Sequence, residues 1–209
     1  PEMMLSQDFL PMLSNLPVAL FAVDEAHCIS SWGHDFRPEY AQLAFLKDRY
    51  PDIPMVALTA TADKLTRRDI MEKLNLQSPE LYISSFDRPN LSLEVRPGRN
   101  RLKAIVDWVE ARPNQSGIVY CLSRKSTEDV AAGLQKKGIK AKFYHAGMGA
   151  KMREKVQQEF IRDDVPIICA TIAFGMGIDK SNIRWVIHYN LPKNIEGYYQ
   201  EIGRAGRDG

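Results

Sequence analysis

The stretch SGIVYCLSRKSTEDVAAGLQKKGIKAKFY, from Ser116 to Tyr144, holds a complete β-α-β reading in 29 residues. Residues 117–122 are a short run rich in apolar and β-branched side chains, too short for a helix and followed by Ser123 and Arg124, so they predict a strand. Residues 127–137 repeat apolar positions at helical spacing and end in two lysines before Gly138, which predicts a helix and its stop. Residues 141–144 then return to a short strand. Two strands joined by a crossover helix must run parallel, and a parallel sheet needs both faces covered.

Working outward, the same alternation continues. Helices are predicted over 101–111, 151–161 and 195–203, and strands over 166–170 and 184–189, giving a nearly complete doubly wound layer. Upstream, strands are predicted over 18–24, 55–60 and 81–84. Helices are predicted over 39–50, after Pro38, and over 63–74, opened by the capping residue Asp63. Residues 85–98 carry Pro89 and Pro97 and break the periodicity, which places a domain junction near residues 86–90. The chain therefore reads as two α/β units, 1–86 and 87–209. Three strands seldom make a self-sufficient parallel sheet, so the first unit is expected to lack elements on its N-terminal side. Pro1 is not an initiator methionine and the chain stops at Gly209 after a Gly/Arg-rich string, so both ends are expected to be cut.

The 209 residues carry 28 Lys+Arg against 26 Asp+Glu, and 44% are hydrophobic, which excludes disordered and collagen-like classes. The charge is uneven, net −5 up to Phe86 and net +7 beyond it, and an anionic partner or solvated helix faces explain that equally. Cys28, Cys121 and Cys169 stand far apart without a C-x-x-C pair, which supports neither a zinc site nor a disulfide framework and points to a reducing, cytoplasmic setting. No signal-peptide pattern opens the chain, and no apolar run spans a bilayer, so no membrane partner is expected.

Several constellations carry chemistry. Asp24-Glu25-Ala26-His27 follows an apolar strand, which puts two carboxylates at the C-terminal edge of a sheet, where open α/β folds bind ligands. Asp24 can hold Mg²⁺ directly or through water, while Glu25 orients or deprotonates a water attacking a γ-phosphate; in isolation, the pair is equally a solvated acidic turn. Trp32, His34, Phe36 and Arg37 mix stacking faces with cationic character, and Gly33, Asp35 and Pro38 interrupt regular structure around them. That pattern suits an exposed loop that stacks on DNA bases, against the alternative of a buried aromatic cluster. Thr59 and Thr61 end a strand, where they can couple the acid site to its neighbours or cap the next helix. Ser123 and Arg124 fit phosphate contact and simple capping alike. Thr171, with Gly175, Gly177 and Lys180, can present a hydroxyl, close backbone and a cation to DNA phosphates, or form a plain turn. Arg204 and Arg207, three apart beside Gly203 and Gly206, can bring two guanidiniums to one face, a good match to phosphate oxygens. His145 reads as a hydrogen-bonded core histidine, and Trp108 and Trp185 as core.

Taken together, these strings resemble the RecQ family of DNA helicases, within superfamily 2. Residues 24–30 and 32–40 resemble its DEAH-type motif II and aromatic-rich loop, 57–62 its motif III, and 86–90 its signature at the lobe junction. Residues 117–124 are similar to motif IV, 144–147 to the motif that follows, 170–180 to motif V and 199–209 to motif VI. The strings stand in family order over essentially the whole chain. One departure is Ser31, where the family commonly has Gln.

The resemblance implies two RecA-like parallel-sheet lobes, the first truncated at its N-terminal side. It implies ATP and Mg²⁺ as nucleotide and cation, and single-stranded and duplex DNA as partners. The implied activity is 3′ to 5′ translocation and unwinding in recombination and repair. It also implies catalytic roles for Asp24, Glu25, His27, Gln200, Arg204 and Arg207, with Arg207 the arginine finger and Arg204 a supporting contact. Gly175 and Asp179 join the nucleotide side. Trp32, His34, Phe36, Arg37, Thr59, Thr61, Ser123, Arg124 and Thr171 serve DNA binding or coupling. The phosphate cradle G-x-x-x-x-G-K-[ST] is missing, since the chain contains no Gly-Lys dipeptide. Hydrolysis is therefore expected of the full-length parent and not of this piece alone; zinc-binding and winged-helix domains are likewise expected only there. Two rivals stand beside this reading, a superfamily 2 RNA helicase core and a non-hydrolytic DNA-binding module.

Overall fold

The computed structural model describes residues 1–6, 9–31, 36–85, 87–175 and 178–208. The chain divides into two compact units, Pro1–Ser85 and Phe86–Gly209.

In the first unit, helix α1 (Phe9–Ser14) leads to strand β1 (Phe21–Val23) and a 3₁₀ turn over Ala26–Ile29. Helices α2 (Pro38–Ala41) and α3 (Phe45–Arg49) follow, then strand β2 (Met55–Ala57) and helix α4 (Lys64–Lys73). β1 and β2 pair in parallel, Phe21 opposite Met55 and Val23 opposite Ala57. The core gathers Phe21, Val23, Ala26, Ile29, Tyr40, Leu43, Leu46, Ile70 and Leu74. α4 starts where expected, because the Asp63 carboxylate accepts the Thr66 N–H at 2.7 Å. That bond holds the Asp63 carboxyl below its ordinary range.

Two expectations for this unit need correction. Residues 39–50 are not one helix: a 3₁₀ turn over Gln42–Ala44 separates α2 from α3. The buried residues Tyr40, Leu43 and Leu46 recur every three positions, and a winding of three residues per turn keeps them on one face. Residues 81–84 form no strand; Leu81, Tyr82 and Ile83 are all exposed. Strand-like composition does not suffice without a hydrogen-bonded neighbour.

The second unit runs α5 (Arg101–Glu110), β3 (Ser116–Tyr120), α6 (Arg124–Gln135), β4 (Ala141–Tyr144), α7 (Ala150–Ile161), β5 (Ile167–Ala170), β6 (Ile183–His188) and α8 (Ile195–Ile202). Its four strands lie in the order β4-β5-β3-β6, all parallel. Every position of β3 and β5 is buried, as two covered faces require. Ile118, Tyr120, Ile168 and Ala170 pack with Val156 and Phe160 of α7 on one face. Val119, Cys121, Ile167 and Cys169 pack with Ile105 of α5 and Val130 and Leu134 of α6 on the other. Gly117 is where β6 comes closest, since a Cβ there would stand 2.2 Å from the Trp185 ring. Trp185 is core as expected, whereas Trp108 is only partly buried at the margin of that cluster. No helix among the described residues is long and apolar enough to cross a membrane.

Candidate functional site

In the first unit the site grows from the exit of β1. Val23 accepts the Leu58 N–H at 2.8 Å and Leu58 accepts the Ala26 N–H at 2.9 Å, so the chain continues β-like pairing while it turns. The turn requires Glu25 at φ 49° and ψ 40°, the left-handed region that a residue with a Cβ seldom enters. The Asp24 carboxylate accepts the Glu25 N–H at 2.8 Å and closes the turn. Asp24 is exposed and Glu25 half-exposed, so both carboxylates reach solvent at the strand's C-terminal edge. Among the described residues no group of three or more His, Cys, Asp and Glu side chains is arranged to hold a metal ion.

His27 is buried. Its Nδ1 lies 3.0 Å from Thr59 Oγ1 and 3.4 Å from Glu25 Oε2. Thr59 donates its hydroxyl proton to the Thr61 carbonyl at 3.2 Å and accepts the Thr61 N–H at 3.3 Å. A hydroxyl has one proton, so the tautomer this network fits is His27 donating from Nδ1. Thr59 therefore joins the acidic turn to the segment after β2, and helix capping falls to Asp63 instead. The Thr61 hydroxyl is buried and has no hydrogen-bond partner among the described residues.

The loop downstream is described only at its end. Trp32 and His34 lie outside the described residues, while Phe36 is 43% exposed. The Lys73 ammonium stands 5.8 Å from the Phe36 ring centroid and donates to the Ile29 carbonyl at 3.2 Å. Arg37 donates its N–H to the Cys28 carbonyl at 2.8 Å, and its guanidinium lies 6.0 Å from the Tyr40 ring. Beneath them Ser30 donates to the buried Asp69 at 2.7 Å. α4 thus anchors both the end of the 3₁₀ turn that follows Glu25 and the aromatic face beside it.

In the second unit Ser123, Arg124 and Thr171 follow the C-terminal ends of β3 and β5, whereas Gly206 and Asp208 bond Ile183 and Arg184 at the start of β6. Ser123 caps α6 by accepting the Ser126 N–H at 3.0 Å, and Arg124 lies against Gly147, where a Cβ would stand 2.9 Å from its guanidinium. Buried His145 contacts Glu128 at 2.9 Å. Thr171 follows β5, half-buried, and accepts the Phe174 N–H at 3.0 Å. Gly175 has φ +144°, and its carbonyl accepts from Arg204. Asp179 is exposed and Gln200 half-buried on α8. Tyr120 donates to the Phe174 carbonyl at 2.9 Å, and burial raises its phenol well above the ordinary range.

The two arginines have different surroundings. Arg204 turns inward and ties the loop after α8 to the loop after β5, whereas Arg207 is exposed and its Nε donates to the Gly203 carbonyl at 3.4 Å. Lys180 does not reach solvent as the phosphate reading requires. Its side chain is 2% exposed, paired with Asp163 at 2.7 Å and 5.2 Å from the Phe160 ring. The sequence reading also misses His188 and Glu201, which meet at 2.6 Å with Tyr120 stacked on the imidazole. Only three-dimensional pairing of β6 with α8 brings those two together.

A four-stranded parallel sheet with helices packed on both faces is the architecture of a RecA-like lobe. Solved structures agree on the fold. Dbp5 of S. cerevisiae, bound to RNA and ADP BeF3, aligns with TM-score 0.71 at 18% identity, over 90% of this chain and 50% of that one. The helicase Lhr of Mycobacterium smegmatis, bound to ssDNA and AMP-PNP, aligns with TM-score 0.70 at 22% identity, over 98% of this chain and 29% of that one. The model of the helicase conserved C-terminal domain matches residues 100–209. The ATP-dependent DNA helicase RecQ of Pasteurella multocida is 52% identical over 208 residues, all of this chain and 33% of that protein. The RecQ-like DNA helicase BLM of Xenopus laevis is 51% identical over 196 residues, 92% of this chain and 14% of that protein. The chain belongs to the family defined by the helicase conserved C-terminal domain, and within it to the RecQ helicases. It spans about a third of the length of the bacterial relatives it matches.

Proposed function

We propose that this chain carries the water-activating and strand-sensing residues of a helicase that couples Mg-ATP hydrolysis to 3′ to 5′ movement on single-stranded DNA. Duplex unwinding in recombination and repair is the proposed outcome. The observation that carries the reading is Glu25, held in a left-handed backbone conformation at the exit of a buried strand, with His27 linked onward to Thr59. A carboxylate so fixed is suited to orient or deprotonate an attacking water. Asp24 engages Oδ1 with the Glu25 N–H, and its exposed carboxylate fits a hard cation that takes oxygen ligands and keeps several waters. When bound, Mg²⁺ would neutralise charge on the phosphate oxygens.

His27 is proposed to report the state of the acidic turn to Thr59 and Thr61. Arg207, with its exposed guanidinium, is proposed as the residue that stabilises charge developing on the γ-phosphate, with Arg204 fixing Gly175 in support. Gln200, Gly175 and Asp179 are proposed on the nucleotide side. Trp32, His34, Phe36, Arg37, Ser123, Arg124 and Thr171 are proposed to meet the DNA strand, where stacking on aromatic faces tolerates any base sequence. The relatives' names as ATP-dependent DNA helicases support DNA over RNA.

The test is Glu25→Gln in the full-length protein. ATP binding should persist while turnover falls roughly 10²–10⁴-fold, the usual share of a positioned base; normal turnover would remove Glu25 from its role. Unwinding of matched DNA and RNA duplexes by the unmodified protein separates the DNA reading from its RNA rival.

A further inference from the structure

The residues on both sides of Arg207, beyond α8, are held by hydrogen bonds. Gly206 has φ +60°, and its N–H donates to the Ile183 carbonyl of β6 at 3.0 Å. Its carbonyl accepts from two side chains more than a hundred residues away, Arg88 at 2.9 Å and Asn90 at 2.8 Å. Arg88 also reaches the Ala205 carbonyl at 3.4 Å. On the other side of Arg207, Asp208 receives both guanidinium nitrogens of Arg184, at 3.0 and 2.7 Å. Arg207 itself remains exposed.

Arg88 and Asn90 are presented together by a turn. Leu91 N–H donates to the Arg88 carbonyl at 2.9 Å, with Pro89 in the second position, where its fixed φ favours the bend. Leu91 then packs on the core of this unit. The fit on Gly206 leaves no space for a side chain, since a Cβ there would stand 2.7 Å from Asn90 Nδ2 and 3.1 Å from Leu91 Cδ2. Both backbone polar groups of Gly206, its N–H and its carbonyl, are thus fixed, which sets the direction in which the next residue leaves the turn.

We infer that Arg88 and Asn90 are positioning residues for Arg207: by clamping the Gly206 carbonyl they pre-set the guanidinium for the phosphate it stabilises. The inference rests on the role proposed above for Arg207. Rate enhancement by a charged group depends on its being in place before the reaction, and a displacement of about 1 Å costs on the order of 10²-fold in rate. Residues that act through Arg207 have nothing left to contribute once it is gone.

The experiment uses the full-length protein with Asn90→Asp, Arg88→Met and Arg207→Ala, singly and combined, under single-strand DNA stimulation. Asn90→Asp keeps the shape of an exposed turn residue but sets a carboxylate against the Gly206 carbonyl. Each clamp variant should lower kcat by roughly ten- to a hundredfold and leave KM for ATP within about twofold. Each should also weaken trapping of ADP with aluminium fluoride, a transition-state mimic, more than binding of ADP. Combined with Arg207→Ala, neither should cause a further loss. Normal kcat in both clamp variants while Arg207→Ala is inactive would overturn the clamp alone, and so would losses that multiply with those of Arg207→Ala. Normal turnover by Arg207→Ala itself would overturn the reading on which the clamp depends.

Discussion

Asp163→Asn in the second unit should destabilise the fold more than Lys180→Met, although both break the same ion pair. The Lys180 side chain is 2% exposed, whereas Asp163 is 52% exposed. Asp163 also receives Ser116 Oγ at 2.8 Å and Asn182 Nδ2 at 3.3 Å. Neutralising the exposed partner leaves a buried ammonium with only a neutral acceptor and the Phe160 ring. A hydrogen bond to a charged group contributes about 1.5–3 kcal/mol and a neutral one about 0.5–1.5. Solvent access to Asp163 keeps the loss below the roughly 3–5 kcal/mol of a fully buried broken pair, so we expect about 2 kcal/mol. Asn tolerates the φ of 62° at this position, so backbone strain does not confuse the comparison. Lys180→Met instead removes the charge that needed a partner, keeps an apolar stem beside Phe160 and returns Asp163 to water, at a cost of about 0–1 kcal/mol. Urea unfolding followed by tryptophan fluorescence measures both; with a slope near 2 kcal/mol per molar, the Asp163→Asn midpoint should fall by about 1 M. Lys180→Met as damaging as Asp163→Asn, or a double variant no more stable than Asp163→Asn alone, would refute the reasoning. The pH dependence has a definite sign. The hydrogen bond from Lys180 lowers the Asp163 carboxyl below its ordinary range. Its contribution is therefore complete above the unfolded carboxyl value near pH 4 and is lost as pH falls below that towards the folded value. In Asp163→Asn this increment of acid sensitivity should disappear.

The two remaining predictions concern buried groups. Thr59→Val leaves His27 Nδ1 without its hydroxyl partner and should lower stability by about 1–3 kcal/mol and weaken DNA stimulation of ATP turnover; unchanged stimulation would sever Thr59 from coupling. Cys28, Cys121 and Cys169 are all buried, and burial pushes the Cys121 thiol up to about 12 and raises that of Cys169 further. At pH 8 none of the three should react rapidly with a thiol reagent in the folded protein, and mass mapping that finds one of them modified within seconds would contradict the packing.

Legibility in the sequence followed locality. The second unit could be read closely because its strands are buried on both faces and bounded by turn residues, and β4 falls on 141–144 as expected. α6 starts at Arg124 rather than Thr127, since the cap Ser123 governs the start and the apolar spacing does not. The first unit was read less well. Spacing of three, at Tyr40, Leu43 and Leu46, looks helical over a short window, and residues 81–84 have strand composition without a strand's pairing. At the candidate site the adjacent Asp24 and Glu25, and Arg204 and Arg207 three apart, are each local patterns visible in the sequence. The His27–Thr59 link, the inward turn of Arg204, the burial of Lys180 and the turn holding Gly206 all join residues brought near only by folding. No local pattern encodes such contacts.

The left-handed backbone at Glu25 also bears on how this chain responds to selection. For a residue with a Cβ that conformation costs about 1–2 kcal/mol, and glycine escapes the penalty. A population screened for heat tolerance alone would accumulate Gly at position 25, gaining melting temperature while discarding the carboxylate. On the role proposed for Glu25, robustness and chemistry make opposite demands on one peptide unit.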